Sequence, residues 1–226
     1  MKIGIIGALS EEVRLVREKM AVSSQQELLG TTFYMGHFEN HEIVLVCCGV
    51  GKVNAAACAQ TVIREFGAEA VINIGIAGAM AHGLRAMDVV ISSEAAFHDQ
   101  DAIMLKYYPQ REFFEADPRL IALCKRACEE SSLHGKAICG RVITGDVFVN
   151  DRETRDRLFS RYSPACTEME GAAIAHVCYM NQVPFLIIRT MSDAADDEAD
   201  ESYDNFIEDA AQQSAGIVLK MLELTD

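Results

Sequence analysis

At 226 residues, half of them hydrophobic, the chain can bury a sizeable core and is expected to form a single domain spanning 1–226. Its 34 acidic against 20 basic residues leave a net charge of −14, which repels nucleic acid and anionic membrane and points to a small-molecule ligand. No basic segment followed by an apolar one opens the chain, and no apolar run approaches the roughly 18 residues of a membrane span, so a cytoplasmic protein is expected.

Lys2 to Gly7 is a short β-branched run that reads as a strand, and Ser10 to Met20 reads as a helix on the spacing of Val13, Leu15, Val16 and Met20. Thr31 to Phe38 and His41 to Cys48 flank Glu39-Asn40 as a hairpin. Gly49-Val-Gly-Lys-Val53 then leads into an Ala-rich helix ending near Phe66. Ala68 to Gly75 is an apolar strand that closes on Gly75-Ile-Ala-Gly78, and Ala86 to Ala96 is another that closes on His98-Asp-Gln-Asp101. Residues 102–118 show no period and are expected to form a long functional loop.

Pro118 to about Leu133 is helical, Lys136 to Thr144 a strand, Glu170 to Met180 a helix and Pro184 to Met191 a buried strand. A final amphipathic helix, Tyr203 to Leu224, should bury Phe206, Ile207, Ala210, Ile217, Val218 and Met221. The alternation of strands and helices predicts an α/β fold: a three-layer α/β/α sandwich whose central sheet is mixed and largely parallel.

Three apolar runs end in acids: the first leads into Glu11 and Glu12, Ser163 to Thr167 into Glu168 and Glu170, and Pro184 to Thr190 into Ser192 and Asp193. Ligands bind outside the carboxyl ends of strands in open α/β sheets, so acids placed this way can face one crevice that favours a developing cation. Each has a plainer explanation. Acids in a first helical turn are favoured by the helix dipole, and Asp193 heads an acidic run through Asp196, Asp197, Glu198, Asp200 and Glu201. Arg189, however, sits among apolar neighbours, and a buried arginine requires carboxylate partners, for which these glutamates are the candidates.

Gly4-Ile-Ile-Gly7 lacks the spacing of a dinucleotide-binding loop and is better explained by tight packing. Gly51-Lys52 lacks the first glycine and the Ser or Thr of a phosphate loop. His98, Asp99 and Asp101 alternate faces at a strand end, which favours hydrogen bonding over metal ligation. The eight cysteines lack paired spacing and are expected to be buried thiols, so neither a metal nor a cofactor is called for.

Taken together, Gly4-Ile-Ile-Gly-Ala8 with Glu12, Gly49-Val-Gly-Lys52, Gly75-Ile-Ala-Gly78, Thr144-Gly-Asp-Val-Phe-Val149, Glu168-Met-Glu170 and Arg189-Thr-Met-Ser-Asp193 resemble the 5′-methylthioadenosine/S-adenosylhomocysteine nucleosidases of the nucleoside phosphorylase superfamily. The motifs stand in that family's order over nearly the whole chain. The resemblance implies a homodimeric hydrolase that cleaves the N-glycosidic bond of 5′-thio-substituted adenosines without a cofactor. It assigns Glu12 to water activation, Asp193 to protonation of adenine N7, Glu170 to the ribose hydroxyls and Arg189 to placing the water and the acids. By the same resemblance Phe148 stacks on the base, the Val149 backbone reads its edge, Ser192 orients Asp193 and Met169 lies under the ribose. Leu9, Val50, Met169 and Tyr203 would surround the 5′ group, with Tyr107 reaching in from a partner subunit. Ile76 replaces a small polar residue of many members, and Leu105 to Arg111 departs from the family pattern, which leaves the preferred 5′ group open.

The chemistry agrees with this assignment. Glycosidic cleavage passes through an oxocarbenium-like sugar, which surrounding carboxylates stabilise. Adenine leaves poorly as an anion, so the acid must hold a proton near neutrality, well above the reference carboxyl pKa of about 3.9. Three alternatives share these features: a phosphorylase, a futalosine or 5′-deoxyadenosine hydrolase, and a non-catalytic nucleoside sensor. Acids in the first-strand loop would repel phosphate, and a sensor has no need of both an acid and a base.

Overall fold

A ten-stranded sheet is the middle layer of the structure, a computed structural model that describes residues 1–193 and 199–225, with the backbone alone over 199–205. In chain order the elements are β1 (Lys2–Gly7), α1 (Ser10–Lys19), β2 (Ala21–Leu28), β3 (Thr31–Phe38), β4 (His41–Cys47), α2 (Lys52–Arg64), β5 (Ala70–Ala79), β6 (Val89–Phe97) and β7 (Phe114–Glu115). There follow α3 (Pro118–Glu130), β8 (Ala137–Thr144), α4 (Arg152–Tyr162), β9 (Cys166–Glu168), α5 (Gly171–Asn181), β10 (Phe185–Asp193) and α6 (Ala199–Glu223).

β1 pairs in parallel with β4 and β5, and β5 pairs in parallel with β10. These strands are buried on both faces, which is why they read as unbroken apolar runs. Helices α1, α3 and α6 pack on one face, α2 and α5 on the other, completing the three layers. The sheet also closes on itself, because β10 pairs antiparallel with β6, β6 parallel with β8, β8 parallel with β9, and β9 antiparallel with β5. That closed circuit carries the end of β9 to the end of β10, where the acids lie.

Several elements differ from the sequence expectation. β2 joins the hairpin as a third strand, hidden from a periodicity reading because all but its last residue are exposed. α4 is equally quiet in sequence, since only Leu158 and Tyr162 are buried; Asp151 caps it by accepting the Thr154 N–H at 2.8 Å. β5 runs on through Gly75 to Ala79 instead of stopping at Gly75, held by its pairing with β10 and β9. Within 102–118 the chain forms a 3₁₀ turn, Ala102–Lys106, and the short β7. On α6 the expected inner residues are buried except Ile207, which is half-buried, and Phe206, which is exposed. Seven of the eight cysteines are buried or half-buried thiols; Cys139 is exposed, and all eight are free. Among the described residues no helix is long and apolar enough to cross a membrane.

The β1 glycines serve packing, as expected. A Cβ on Gly4 would overlap Val62 Cγ1 of α2, and one on Gly7 would lie 2.8 Å from Val13 Cγ1 of α1. Gly4→Ala should therefore force β1 and α2 apart and cost about 1–3 kcal/mol of stability. Urea denaturation checks this, and a variant as stable as the parent would contradict it.

Candidate active site

The carboxyl ends of β1, β5, β9 and β10 surround a cavity of about 490 Å³. It is lined by Ala8, Leu9, Glu12, Val50, Ile76, Ala77, Gly78, Phe148, Thr167, Glu168, Met169, Glu170, Arg189, Ser192 and Asp193. Its size suits a nucleoside-sized ligand.

Arg189 is the hub. It lies mid-strand on β10 and is only 1% exposed. Its Nη1 is 3.8 Å from Glu12 Oε1, and its Nη2 bonds Glu168 Oε2, Asn73 Oδ1 at 2.7 Å and Glu170 Oε2 at 3.4 Å. Burial opposes its charge, but the Glu168, Glu170 and Glu12 carboxylates outweigh that and hold the guanidinium protonated well above its ordinary range. A Cβ on Gly75 would overlap both the guanidinium and the Glu12 carboxylate, so this approach requires glycine.

Glu12 is held from the backbone on two sides. The Ala8 and Leu9 N–H groups donate to its Oε2 at 2.6 and 3.0 Å, and the Ile76 N–H donates to its Oε1 at 3.0 Å. Burial raises its pKa, opposed by Arg189 and then by these three bonds. The helix dipole alone, which would suit an exposed acid, does not account for a carboxylate drawn inward to this degree.

Glu168 accepts from Thr144 Oγ1 and, through its other oxygen, from the Glu170 and Gly171 N–H groups at 3.1 and 2.7 Å, at the amino end of α5. Glu170 accepts the Gly51 N–H at 2.8 Å. Burial pushes its pKa up to about 7; Arg189 opposes this and the Glu168 charge adds to it. Ser192 Oγ donates to Asp193 Oδ2 at 2.7 Å, with Asp193 itself buried. At the rim, Lys52 Nζ bonds Asp99 Oδ2 at 2.6 Å, and that oxygen also accepts the Asp146 N–H at 2.9 Å.

Ten of the thirteen residues singled out in sequence line this cavity. Val149 does not: its side chain packs with Met80, Ile143 and Leu158 in a separate cluster. Tyr107 is also outside it, 65% exposed beyond the 3₁₀ turn. The Tyr203 side chain lies outside the described residues. Asn73, which bridges Arg189 to the Ile6 carbonyl, was missed, although one amide inside an apolar strand is a signal because a buried amide must find partners. Glu168, expected among the acids that face the crevice and as a partner for Arg189, lines the cavity, whereas Glu11 lies outside it.

A family model described as the phosphorylase superfamily matches residues 2–223. A 5′-methylthioadenosine/S-adenosylhomocysteine nucleosidase of Staphylococcus carnosus is 38% identical over 98% of this chain and 99% of its own length. The chain belongs to this nucleosidase family. The solved Neisseria meningitidis nucleosidase in complex with methylthio-immucillin-A superposes with a TM-score of 0.94 at 36% identity, covering 99% of each chain. The futalosine hydrolase of Helicobacter pylori superposes at 0.92 with 32% identity, covering 100% of this chain and 98% of its own. These solved structures share the overall architecture of this chain.

Glu170 binds its proton more tightly folded, at about 7, than at its ordinary value of 4.5. Its contribution to stability is therefore complete below about pH 4.5 and is lost as pH rises through about 7. Glu170→Gln cannot titrate. Between about pH 4.5 and pH 8 the parent should lose roughly 3 kcal/mol more unfolding free energy than the variant, by urea titration at each pH. Parallel profiles would contradict the raised pKa.

Proposed function

We propose that the protein hydrolyses the N-glycosidic bond of 5′-thio-substituted adenosines, methylthioadenosine and S-adenosylhomocysteine, releasing adenine. The observation that carries this reading is that Glu12, Glu170 and the β10 pair Arg189 and Asp193, from three separate elements, line one buried cavity. Glu12 takes a proton from water as the water oxygen bonds to C1′. The C1′–N9 bond breaks with its electron pair passing to adenine, and Asp193 delivers a proton to N7. Ser192 orients that acid, and Glu170 accepts from the ribose hydroxyls. The buried carboxylates stabilise the cationic sugar in the transition state.

Leu9, Val50 and Met169 supply an apolar wall suited to a thioether, and Phe148 stands at the mouth to stack on the base. The Val149 backbone reads the edge of the base. Ile76 offers that site an apolar surface and, through its N–H, a fixed Glu12.

We place the enzyme in the cytoplasm as a homodimer. Exposed Ile103, Met104, Leu105, Tyr107 and Tyr108 form an apolar run that a second copy would cover, bringing its Tyr107 to the 5′ end of the neighbouring site. The eight free thiols suit a reducing compartment.

A futalosine-directed hydrolase is the second reading, favoured by the similarity to the Helicobacter pylori enzyme. A turnover panel of methylthioadenosine, S-adenosylhomocysteine, 5′-deoxyadenosine, futalosine, adenosine and inosine, with and without phosphate, separates the two readings and also tests for a phosphorylase. Phosphate-independent release of adenine from the thio-substituted nucleosides is expected; strict phosphate dependence would overturn the proposal. General acid and base each contribute about 10²–10⁴-fold, so Asp193→Asn and Glu12→Gln should each lower kcat at least about 100-fold while still binding adenine analogues. Near-parental turnover in either variant would remove its assigned role.

A further inference from the structure

Ser214, fully buried on α6, belongs to no motif singled out in the sequence and does not line the cavity. Its Oγ donates to the Gly75 carbonyl at 2.8 Å. The same oxygen accepts the Thr190 N–H at 3.1 Å and lies 2.8 Å from Thr190 Oγ1. With its one proton committed to Gly75, Ser214 receives the Thr190 hydroxyl as well, which satisfies every hydrogen-bonding capacity of this buried oxygen. The carbonyl it holds belongs to the same peptide unit as the Ile76 N–H, and that N–H donates to Glu12 Oε1 at 3.0 Å.

A peptide unit is planar and trans, so its C=O and N–H point in opposite directions and neither turns without the other. Fixing the oxygen end from α6 therefore fixes the hydrogen end on the carboxylate. A bond accepted at the carbonyl also polarises the unit and strengthens the N–H as a donor. Gly75 lacks the side chain that would keep Glu12 and Arg189 apart, and it leaves this peptide with little intrinsic conformational restraint. An outside anchor supplies the restraint that its residue type does not.

We propose that Ser214 is a positioning residue for the water-activating base, acting through the Gly75–Ile76 peptide to hold Glu12 ionised and aimed into the cavity. The proposal rests on the assignment of Glu12 as that base. Among the described residues, the charged and titratable groups facing Glu12 are Arg189 and Asp193 of β10, Glu168 of β9, Glu170 ahead of α5, and the Cys47 and Cys48 thiols at the end of β4. Ser214→Ala alters none of them.

The experiment is a ¹³C NMR titration of the Glu12 carboxyl in free protein labelled at glutamate, in the parent, Ser214→Ala and Ser214→Cys. Glu12→Gln identifies the resonance. The Ile76 N–H bond lowers the Glu12 pKa, so weakening it must raise that pKa. Ser214→Ala is expected to raise it by about one unit, with Ser214→Cys, a weaker donor of similar size, falling between. In turnover assays the acid limb of kcat/KM should move to higher pH by the same amount, with kcat lowered about tenfold. A merely structural contribution would lower the melting temperature without moving either titration.

Failure of the parent to turn over any nucleoside would count against the proposed function, whereas the NMR titration still decides whether Ser214 governs the Glu12 carboxyl. If Ser214→Ala does not fold, Ser214→Cys carries the same comparison. A Glu12 titration in the folded variants that matches the parent would overturn the proposal.

Discussion

One buried cation holds the site together. Arg189 sits in the middle of the sheet with Glu12 from α1 and Glu168 and Glu170 from the junction of β9 and α5 around it. Removing charges from water is costly, so an arginine here is tolerable only with carboxylates and further hydrogen bonds in place, and each carboxylate depends equally on the arginine. Asn73 and the Ile76 carbonyl supply additional acceptors. Deleting any one member leaves its partners buried without full compensation, which makes the cluster a requirement of the fold as much as of the chemistry.

Three carboxylates against one guanidinium leave an excess of negative charge in the cavity. Part of that excess is relieved by a proton on Glu170 near neutrality, and part by backbone N–H groups aimed at Glu12 and Glu168. The result is an environment suited to positive charge developing on a bound sugar, with the donors and acceptors already in position before any ligand enters. The same arrangement disfavours an inorganic anion next to Glu12, which is the electrostatic basis for reading the protein as a hydrolase within a superfamily named for phosphorylases.

The closed strand circuit explains how acids from separate stretches meet. Glu168 ends β9, Asp193 ends β10, and Gly75 of β5 leaves open the space where the Glu12 carboxylate and the Arg189 guanidinium approach each other. Loops at the rim are tied by Lys52, whose ammonium joins Asp99 to the Gly145-Asp146 turn just ahead of Phe148. Strands thus present Glu168, Arg189 and Asp193 and helix α1 presents Glu12, while Phe148 and the apolar lining residues Leu9, Val50 and Met169 sit on the connections between elements.

Much of this was legible in the residue order. Long apolar runs announced the central strands because those strands are buried on both faces, and a charged Arg189 inside one of them announced its carboxylate partners. Motif order identified the family, and with it most of the cavity. β2 and α4 were not legible because they bury too little to leave a periodic trace, and the passage of β5 through Gly75 depends on pairing with strands more than 80 residues away. The sequence by itself determined which residue types had to be buried and which charges had to be paired. Only the tertiary structure decided which acid meets which cation, that Asn73 and Ser214 take part, and which way the Gly75–Ile76 peptide faces, because hydrogen bonds between distant elements have no signature in local order.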